Sequence, residues 1–115
     1  MAARIGDYLI EPAHPSLLHG DLWTGNVLVR RGRIAGLVDP AIYCGHPEIE
    51  LAFTTLFGTF GTSFFEAYES VLPLEPGFHE IRSDLYNLYP RLVHVRLFGA
   101  GYLGGIEQTL KRLGI

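Results

Sequence analysis

Four polar residues, spread over two loops, have the types and spacing that could carry chemistry. His19, Asp21 and Asn26 stand at the first, third and eighth positions of residues 19–26, and Asp39 follows a short β-branched stretch. A carboxylate can orient a hydroxyl and accept its proton, and amide and carboxylate oxygens are ligands that Mg²⁺ prefers. The set therefore predicts transfer of a phosphoryl group from a metal-bound triphosphate to a hydroxyl.

The spacing also agrees with a known catalytic pattern. The protein-kinase catalytic loop has the order His, any residue, Asp, Leu, three variable residues and Asn. In this pattern Asp21 suits the role of base, and Asn26 and Asp39 suit the role of Mg²⁺ ligands. The alternative is that Asp21 and Asn26 cap turns and that Asp39 initiates a turn, as Asp and Asn commonly do in loops.

A β-hairpin is the first element that must position these residues. Val27–Arg30 and residues 34–38 are β-branched runs, and Gly32 between them can supply the positive φ of a tight turn. The hairpin ends at the two candidate metal ligands, so its register decides whether they meet.

If Arg31 and Gly32 are the turn residues, Asn26 faces Leu37 across the hairpin, and Asp39 lies two residues further on. Side chains two apart share a face of a strand. Asn26 and Asp39 are therefore expected on one face at the open end, with Cα atoms roughly 7–8 Å apart. Asp21 enters the same end from the preceding loop.

Helical patterns cover most of the remaining chain. The first segment, residues 4–11, is expected to be the end of a helix stopped by proline, and residues 39–47 a loop. A helix is expected from near Glu48, and a second is expected from a capping box of Ser63 and Glu66. A third, kinked or restarted at Pro90, starts near Phe78, and a short one covers residues 105–113. The expected fold is mainly α with a small β-hairpin.

The amino-acid composition argues against several classes of protein. The 115 residues are 48% apolar and 18% charged, which indicates one folded domain instead of a disordered chain. The net charge is −3 and the basic residues are scattered, which argues against binding to nucleic acid. The apolar runs fall short of the roughly 18 residues of a membrane span. With one cysteine and no signal-peptide pattern, we expect a cytoplasmic protein.

Two stretches resemble the fructosamine kinase (ketosamine kinase) family, within the aminoglycoside-phosphotransferase-like, protein-kinase-like group. The first is His-Gly-Asp-Leu-Trp-Thr-Gly-Asn at residues 19–26, continued by Asp-Pro-Ala-Ile-Tyr-Cys-Gly-His-Pro-Glu-Ile-Glu-Leu-Ala at residues 39–52. The second is the helical region of residues 85–102. The resemblance extends from about residue 15 to residue 113.

The resemblance implies ATP-dependent phosphorylation of a sugar hydroxyl on a ketosamine such as a fructosyl-lysine, which leads to protein deglycation. It implies that Asp21 is the catalytic base and that Asn26 and Asp39 hold Mg²⁺ and its bound ATP. It gives His19 a structural role as a buttress of the loop.

Four further residues are weaker candidates for contact with a ketosamine or other glycated amine. The resemblance places His46 and Glu48 beside the active cleft. Trp23 and Tyr43 could stack on the substrate, although packing inside the fold is as common a role for such rings. His46 with Glu48 and Glu50 could instead hold a metal, but loop and helix-terminal roles are the more usual ones for these residues.

Members of the family have two lobes, and the resemblance covers the C-terminal one. We therefore expect residues 1–115 to be the C-terminal catalytic lobe, without the N-terminal ATP-binding lobe. The isolated chain is then expected to lack turnover and to self-associate or exchange domains through uncovered apolar surface. The alternatives are another aminoglycoside-phosphotransferase-like kinase and a non-catalytic lobe that acts in self-assembly.

Overall fold

The computed structural model describes residues 2–114. The strands are β1 (Ser16–Leu18), β2 (Val27–Arg30), β3 (Arg33–Leu37) and β4 (Tyr43–Gly45), and the helices are α1 (Pro47–Leu56), α2 (Thr62–Val71), α3 (Ser83–Phe98) and α4 (Leu103–Leu113). Short 3₁₀ segments occupy Ala2–Asp7, Thr24–Asn26 and Ala100–Tyr102, and a π-helical turn occupies Phe78–Arg82. The predicted fold class, mainly helical with small β elements, is confirmed.

The predicted hairpin forms from β2 and β3, but its register differs from the prediction. Both turn residues have positive φ, 52° at Arg31 and 73° at Gly32, as a two-residue type I′ turn requires. A bulge between Leu28 and Val29 then shifts the pairing by one residue. Asn26 consequently pairs with Val38 and not with Leu37, through a backbone hydrogen bond of 3.0 Å.

A second two-stranded sheet joins segments that are far apart in the sequence. β1 and β4 run antiparallel, with Leu17 opposite Cys44. The sequence predicted a loop at β4 and no strand at β1, because three-residue strands carry too little periodicity to detect. Their pairing holds the two loops that carry the candidate site beside each other.

Helix boundaries differ in detail from the predicted ones. α2 begins at Thr62 with Gly61 as its N-cap, so the capping box predicted from Ser63 is wrong. The Gly61 carbonyl accepts the N–H groups of Phe64 and Phe65, which starts the helix before Ser63. Pro90 lies inside α3. The N-terminal segment is a 3₁₀ segment instead of the end of an α-helix. No helix within residues 2–114 has both the length and the apolar character needed to cross a membrane.

The hydrophobic core consists of two clusters, one between α1 and the π-helical turn and one between α3 and α4. One cluster contains Leu51, Ala52 and Phe78, and the other contains Leu85, Leu88 and Ile106. The side chain of Asn87 on α3 joins the two helices, donating to the Ala52 carbonyl at 2.9 Å and to Thr55 Oγ1 at 3.1 Å. α1 is therefore held on its inner side by both apolar and polar contacts.

A buried ion pair fixes the start of α1. Arg82 donates from Nε and Nη2 to the two carboxylate oxygens of Glu48, both at 2.8 Å, and each residue is 3% exposed. Two of the three remaining guanidinium hydrogens are donated to the carbonyls of Glu75 and Pro76 at 2.8 Å. The hydrogen bonds with Glu48 raise the pKa of Arg82, although burial opposes this effect. Each of the three guanidinium nitrogens of this buried cation therefore has at least one acceptor.

We predict that Arg31→Asn stabilises the protein by about 0.5–1 kcal/mol. Asn tolerates positive φ better than Arg does, and position 31 is exposed, so little packing is lost. The shift of the urea midpoint measures the change. Arg33→Asn, on the neighbouring strand, is the control and should not stabilise. An unchanged or lower midpoint in Arg31→Asn would contradict the turn assignment.

Glu48→Gln is expected to lower the free energy of unfolding by about 3 kcal/mol, because it leaves the Arg82 cation buried without a counter-charge. Urea denaturation followed by circular dichroism measures this loss. Glu107→Gln, at an exposed position on α4, is the matched control and should change stability by less than about 0.5 kcal/mol. A loss below about 1 kcal/mol in Glu48→Gln would count against the assigned role of the ion pair.

Candidate active site

The loop between β1 and β2 is held in place by one carboxylate of α1. Glu50 Oε2 accepts the backbone N–H of His19 at 3.1 Å, and Glu50 Oε1 accepts that of Gly20 at 2.8 Å. Both carboxylate oxygens are thereby engaged with consecutive peptide groups just before Asp21. From the sequence, Glu50 is expected to be an acid at a helix N-terminus or, less commonly, a metal ligand. Its role depends on a contact across 30 residues that no local pattern reports.

His19 joins the loop to the end of β3. Its Nε2 donates to the Val38 carbonyl at 2.8 Å, and its Nδ1 accepts the N–H of Asp21 at 3.2 Å. A carbonyl oxygen can only accept, so this pair of bonds requires the neutral tautomer with hydrogen on Nε2. The imidazole therefore sits between the two segments that carry the candidate carboxylates.

Asp21 and Asn26 are in direct contact. Asn26 Nδ2 donates to the backbone carbonyl of Asp21 at 2.9 Å and to its Oδ2 at 3.2 Å. Asn26 is only 5% exposed, whereas Asp21 is half-buried. The amide hydrogens thus hold the aspartate, and Oδ1 is the Asn26 atom left for another partner.

Asp39 is positioned by its neighbours on both sides. Val38 is bonded to Asn26 through its N–H and to His19 through its carbonyl. Two residues after Asp39, the Ala41 N–H donates to the His19 carbonyl at 2.7 Å. Asp39 itself is exposed and has a φ of 50°, a left-handed conformation that Asp tolerates better than most residues do. Asp39 therefore lies one residue beyond the partner of Asn26, where the predicted register placed it two residues beyond.

Glycine is required at position 20 because the two loops touch there. Gly20 has a φ of 87°, and a Cβ at this position would collide with the Ala41 carbonyl. The close approach lets the loop before Asp21 and the loop after Asp39 share hydrogen bonds.

The aromatic candidates lie at the edge of these loops. The indole of Trp23 is 42% exposed, covers Gly25 and makes an edge contact with Phe57 at 6.1 Å between ring centroids. Tyr43 is 44% exposed and borders the cavity beside Gly20 and Glu50. Burial and the nearby Glu50 raise the pKa of Tyr43, so its hydroxyl keeps its proton.

The side chains of His46 and Glu48 make hydrogen bonds within the fold. His46 caps α1 by accepting the Glu48 N–H at 3.1 Å, and its Nε2 donates to the Ile10 carbonyl at 2.9 Å. The Glu48 side chain is buried against Arg82. Residues two apart on a helix point about 200° apart, so Glu48 and Glu50 serve opposite sides of α1. A metal site formed from His46, Glu48 and Glu50 is not present.

The donor atoms at the meeting point of the loops fit Mg²⁺. They are the Asn26 amide oxygen and the Asp39 carboxylate, both hard oxygen ligands, and Mg²⁺ commonly takes only one or two protein carboxylates. Residues 2–114 contain no cluster of three or more His, Cys, Asp or Glu side chains that could hold a metal. Phosphate and water oxygens would have to complete the coordination.

Comparison with known proteins identifies close relatives. The family model for fructosamine kinase matches residues 7–114. A probable ketoamine kinase of Vibrio parahaemolyticus is 52% identical over 100 residues, which cover 86% of this chain and 34% of that protein. The ketosamine-3-kinase of Mus musculus is 47% identical over 100 residues, covering 86% of this chain and 31% of the mouse protein. The chain thus spans about a third of the length of these curated relatives.

Solved structures agree with the sequence relatives. A crystal structure named for a fructosamine-3-kinase of Thermobifida fusca superimposes with a TM-score of 0.83 at 38% identity, covering 96% of this chain and 38% of that one. The crystal structure of its counterpart from Haemophilus somnus gives a TM-score of 0.67 at 34% identity. The match covers 87% of this chain and 33% of the Haemophilus chain. The fold of residues 2–114 is therefore found within larger proteins.

Glu50→Gln is expected to loosen the loop that carries Asp21. A glutamine offers one acceptor oxygen in place of two, so at least one of the two N–H bonds is lost. Hydrogen exchange measured by NMR should become roughly tenfold faster at the His19 and Gly20 amides, which corresponds to about 1.4 kcal/mol.

The matched control is Glu66→Gln, at an exposed position of α2. It should leave the exchange of both amides unchanged. If the His19 and Gly20 amides exchange at the original rate in Glu50→Gln, the carboxylate does not hold the loop.

Proposed function

We propose that this chain, which belongs to the fructosamine kinase family, carries the catalytic base and the metal ligands of a kinase acting on ketosamines. The observation that supports this most directly is the contact of Asp21 with Asn26, beside Asp39. The names of the relatives, which include ketosamine-3-kinase and protein-ribulosamine 3-kinase, support the substrate class.

In this proposal Asp21 orients a sugar hydroxyl of the ketosamine and accepts its proton as the hydroxyl oxygen attacks. The bond from Asn26 Nδ2 holds one oxygen of the Asp21 carboxylate, which limits the directions in which the side chain can point. Glu50 and His19 are positioning residues, because they hold the backbone on which Asp21 stands. Correct placement of a reacting hydroxyl and its base is the main demand of phosphoryl transfer.

ATP with Mg²⁺ is the proposed phosphoryl donor. Asn26 Oδ1 and the Asp39 carboxylate would hold the ion, which when bound neutralises negative charge on the phosphates. The contribution of this chain is to keep the two ligands at adjacent positions of the paired loops, through the hydrogen bonds of Val38.

The rings of Trp23 and Tyr43 are the proposed substrate contacts, since both are about half exposed beside the loop. His46 and Glu48 are left out of the proposed site because their polar atoms are already engaged with other parts of the chain. The proposed site is therefore smaller than the set of residues suggested by the sequence.

We further propose that residues 1–115 act as the C-terminal lobe of a larger two-lobed kinase. The relatives are about three times as long as the matched segment. The hairpin side chains Leu28, Val29 and Ile34 are at least half exposed, which favours association with other protein surface. The isolated chain is therefore expected to bind ligands without turnover and to self-associate at high concentration.

Mg²⁺-dependent nucleotide binding tests the metal ligands. In an NMR titration of the chain with ATP, the amides of Asn26 and Val38 should shift further when MgCl₂ is added. Asp39→Ala should remove this additional shift, because it removes the carboxylate ligand. Glu66→Gln should retain it. Equal Mg²⁺ responses in the original chain and in Asp39→Ala would contradict the assignment.

Transfer activity is best tested in a chimera, in which this chain replaces the matching segment of the Vibrio parahaemolyticus relative. With ATP, the chimera should phosphorylate fructosyl-lysine in preference to an aminoglycoside or choline. Asp21→Asn should lower kcat by about 10²–10⁴-fold, the usual contribution of a general base.

Circular dichroism shows whether each chimera is folded, and Glu66→Gln is the active control. A folded chimera that prefers an aminoglycoside or choline would favour another kinase of the wider group. Full activity in Asp21→Asn would exclude Asp21 as the base.

A further inference from the structure

A cavity of about 560 Å³ lies beside the loop that carries Asp21, between that loop, α1 and α3. Its size falls within the range of small-molecule sites in proteins. The residues that line it are Gly20, Tyr43, Ile49, Glu50, Phe53, Leu85, Tyr86, Tyr89 and Pro90. Tyr89 is 77% exposed and stands at its edge, so a ligand can enter from solvent.

The lining of the cavity is apolar and aromatic. Among the described residues that line it, Glu50 is the only charged one, and both oxygens of this carboxylate already accept backbone N–H groups of the loop. Burial, together with the adjacent Glu48, raises the pKa of Tyr86 to about 12. The cavity therefore offers rings and aliphatic surface, with few polar groups free to bind a sugar or a charged head.

The position of the cavity relates it to the proposed chemistry. Gly20, in its wall, is the residue immediately before Asp21, and consecutive Cα atoms are about 3.8 Å apart. Glu50 and Gly20 belong at once to the cavity wall and to the hydrogen bonds that hold the loop. A ligand whose hydroxyl reaches Asp21 has to place its other end in neighbouring space, and this cavity adjoins the loop there.

We propose that the cavity receives the substituent on the ketosamine nitrogen and gives the protein a preference for aromatic and bulky apolar amines. This inference rests on the proposed function, because it assumes that the sugar part of a ketosamine lies at Asp21. The sugar is common to all such substrates, and the amine substituent is the part that varies. Burial of an aromatic substituent against these rings removes apolar surface from water, which a small polar substituent cannot do.

Binding to the chain itself tests the proposal, so no turnover is needed. The probes are two fructosamines, one made from benzylamine and one from methylamine, and N-methylbenzylamine as a probe without sugar. Dissociation constants come from NMR titration. We expect the benzyl fructosamine to bind at least about tenfold more tightly than the methyl one, as burial of part of a phenyl ring would give.

Variants connect the preference to the cavity. Tyr89→Ala should remove most of the difference between the two fructosamines, and because Tyr89 is exposed, the truncation should not unfold the chain. Ile49→Phe, which fills part of the cavity, should weaken the benzyl compound more than the methyl one. Tyr102→Ala is the matched control, since Tyr102 is half exposed and does not line the cavity.

The outcomes separate this inference from the proposed function. Equal affinity for both fructosamines would overturn the inference and leave ketosamine binding intact. If neither fructosamine binds while N-methylbenzylamine does, both the inference and the substrate class fail. A benzyl preference that persists in Tyr89→Ala and Ile49→Phe would place the aromatic group elsewhere and overturn the inference.

Discussion

The geometry of the candidate site depends on the two hydrogen bonds that the Glu50 carboxylate accepts from the backbone of His19 and Gly20. Hydrogen bonds to a charged acceptor are among the strongest available to a backbone N–H, and here they act on consecutive peptide groups. They attach a glycine-containing loop, which would otherwise be mobile, to a helix packed in the core. Asp21 follows directly, so α1 positions the backbone before the candidate base, while Asn26 in its own loop holds the carboxylate.

α1 has this effect because its two sides make different contacts. Glu48 is buried against Arg82, and Glu50 faces the loop, since positions two apart lie on opposite sides of a helix. The ion pair and the Asn87 contacts anchor α1 to the π-helical turn and to α3, and the loop is then attached to the anchored helix. The stability of the core and the orientation of the site are therefore linked through α1. The cavity beside α1 is lined by Leu85, which belongs to the core, and by Gly20 and Glu50, which belong to the site.

The loop that carries Asp39 is held by hydrogen bonds to the loop that carries Asp21. Val38 uses its N–H for Asn26 and its carbonyl for His19, and Asp39 adopts a positive φ between these fixed neighbours. A positive φ at a residue other than glycine costs free energy, so it persists only where the surroundings determine it. The bulge in the hairpin supplies the register that allows this arrangement. The exposed Asp39 thereby follows directly after the residue that pairs with the nearly buried Asn26.

The sequence alone predicted the hairpin, its turn and the largely helical remainder, because these depend on residue type and local spacing. The roles of Asp21, Asn26 and Asp39 in catalysis stay predictions. Local patterns failed where a contact joins distant segments. They could not reveal the pairing of β1 with β4, the bulge that places Asn26 opposite Val38, or the role of Glu50. The family resemblance suggested His46 and Glu48 as substrate contacts, and the fold engages both in internal hydrogen bonds. Tertiary structure decides such roles because a carboxylate binds whichever donors the packing brings within about 3 Å of it.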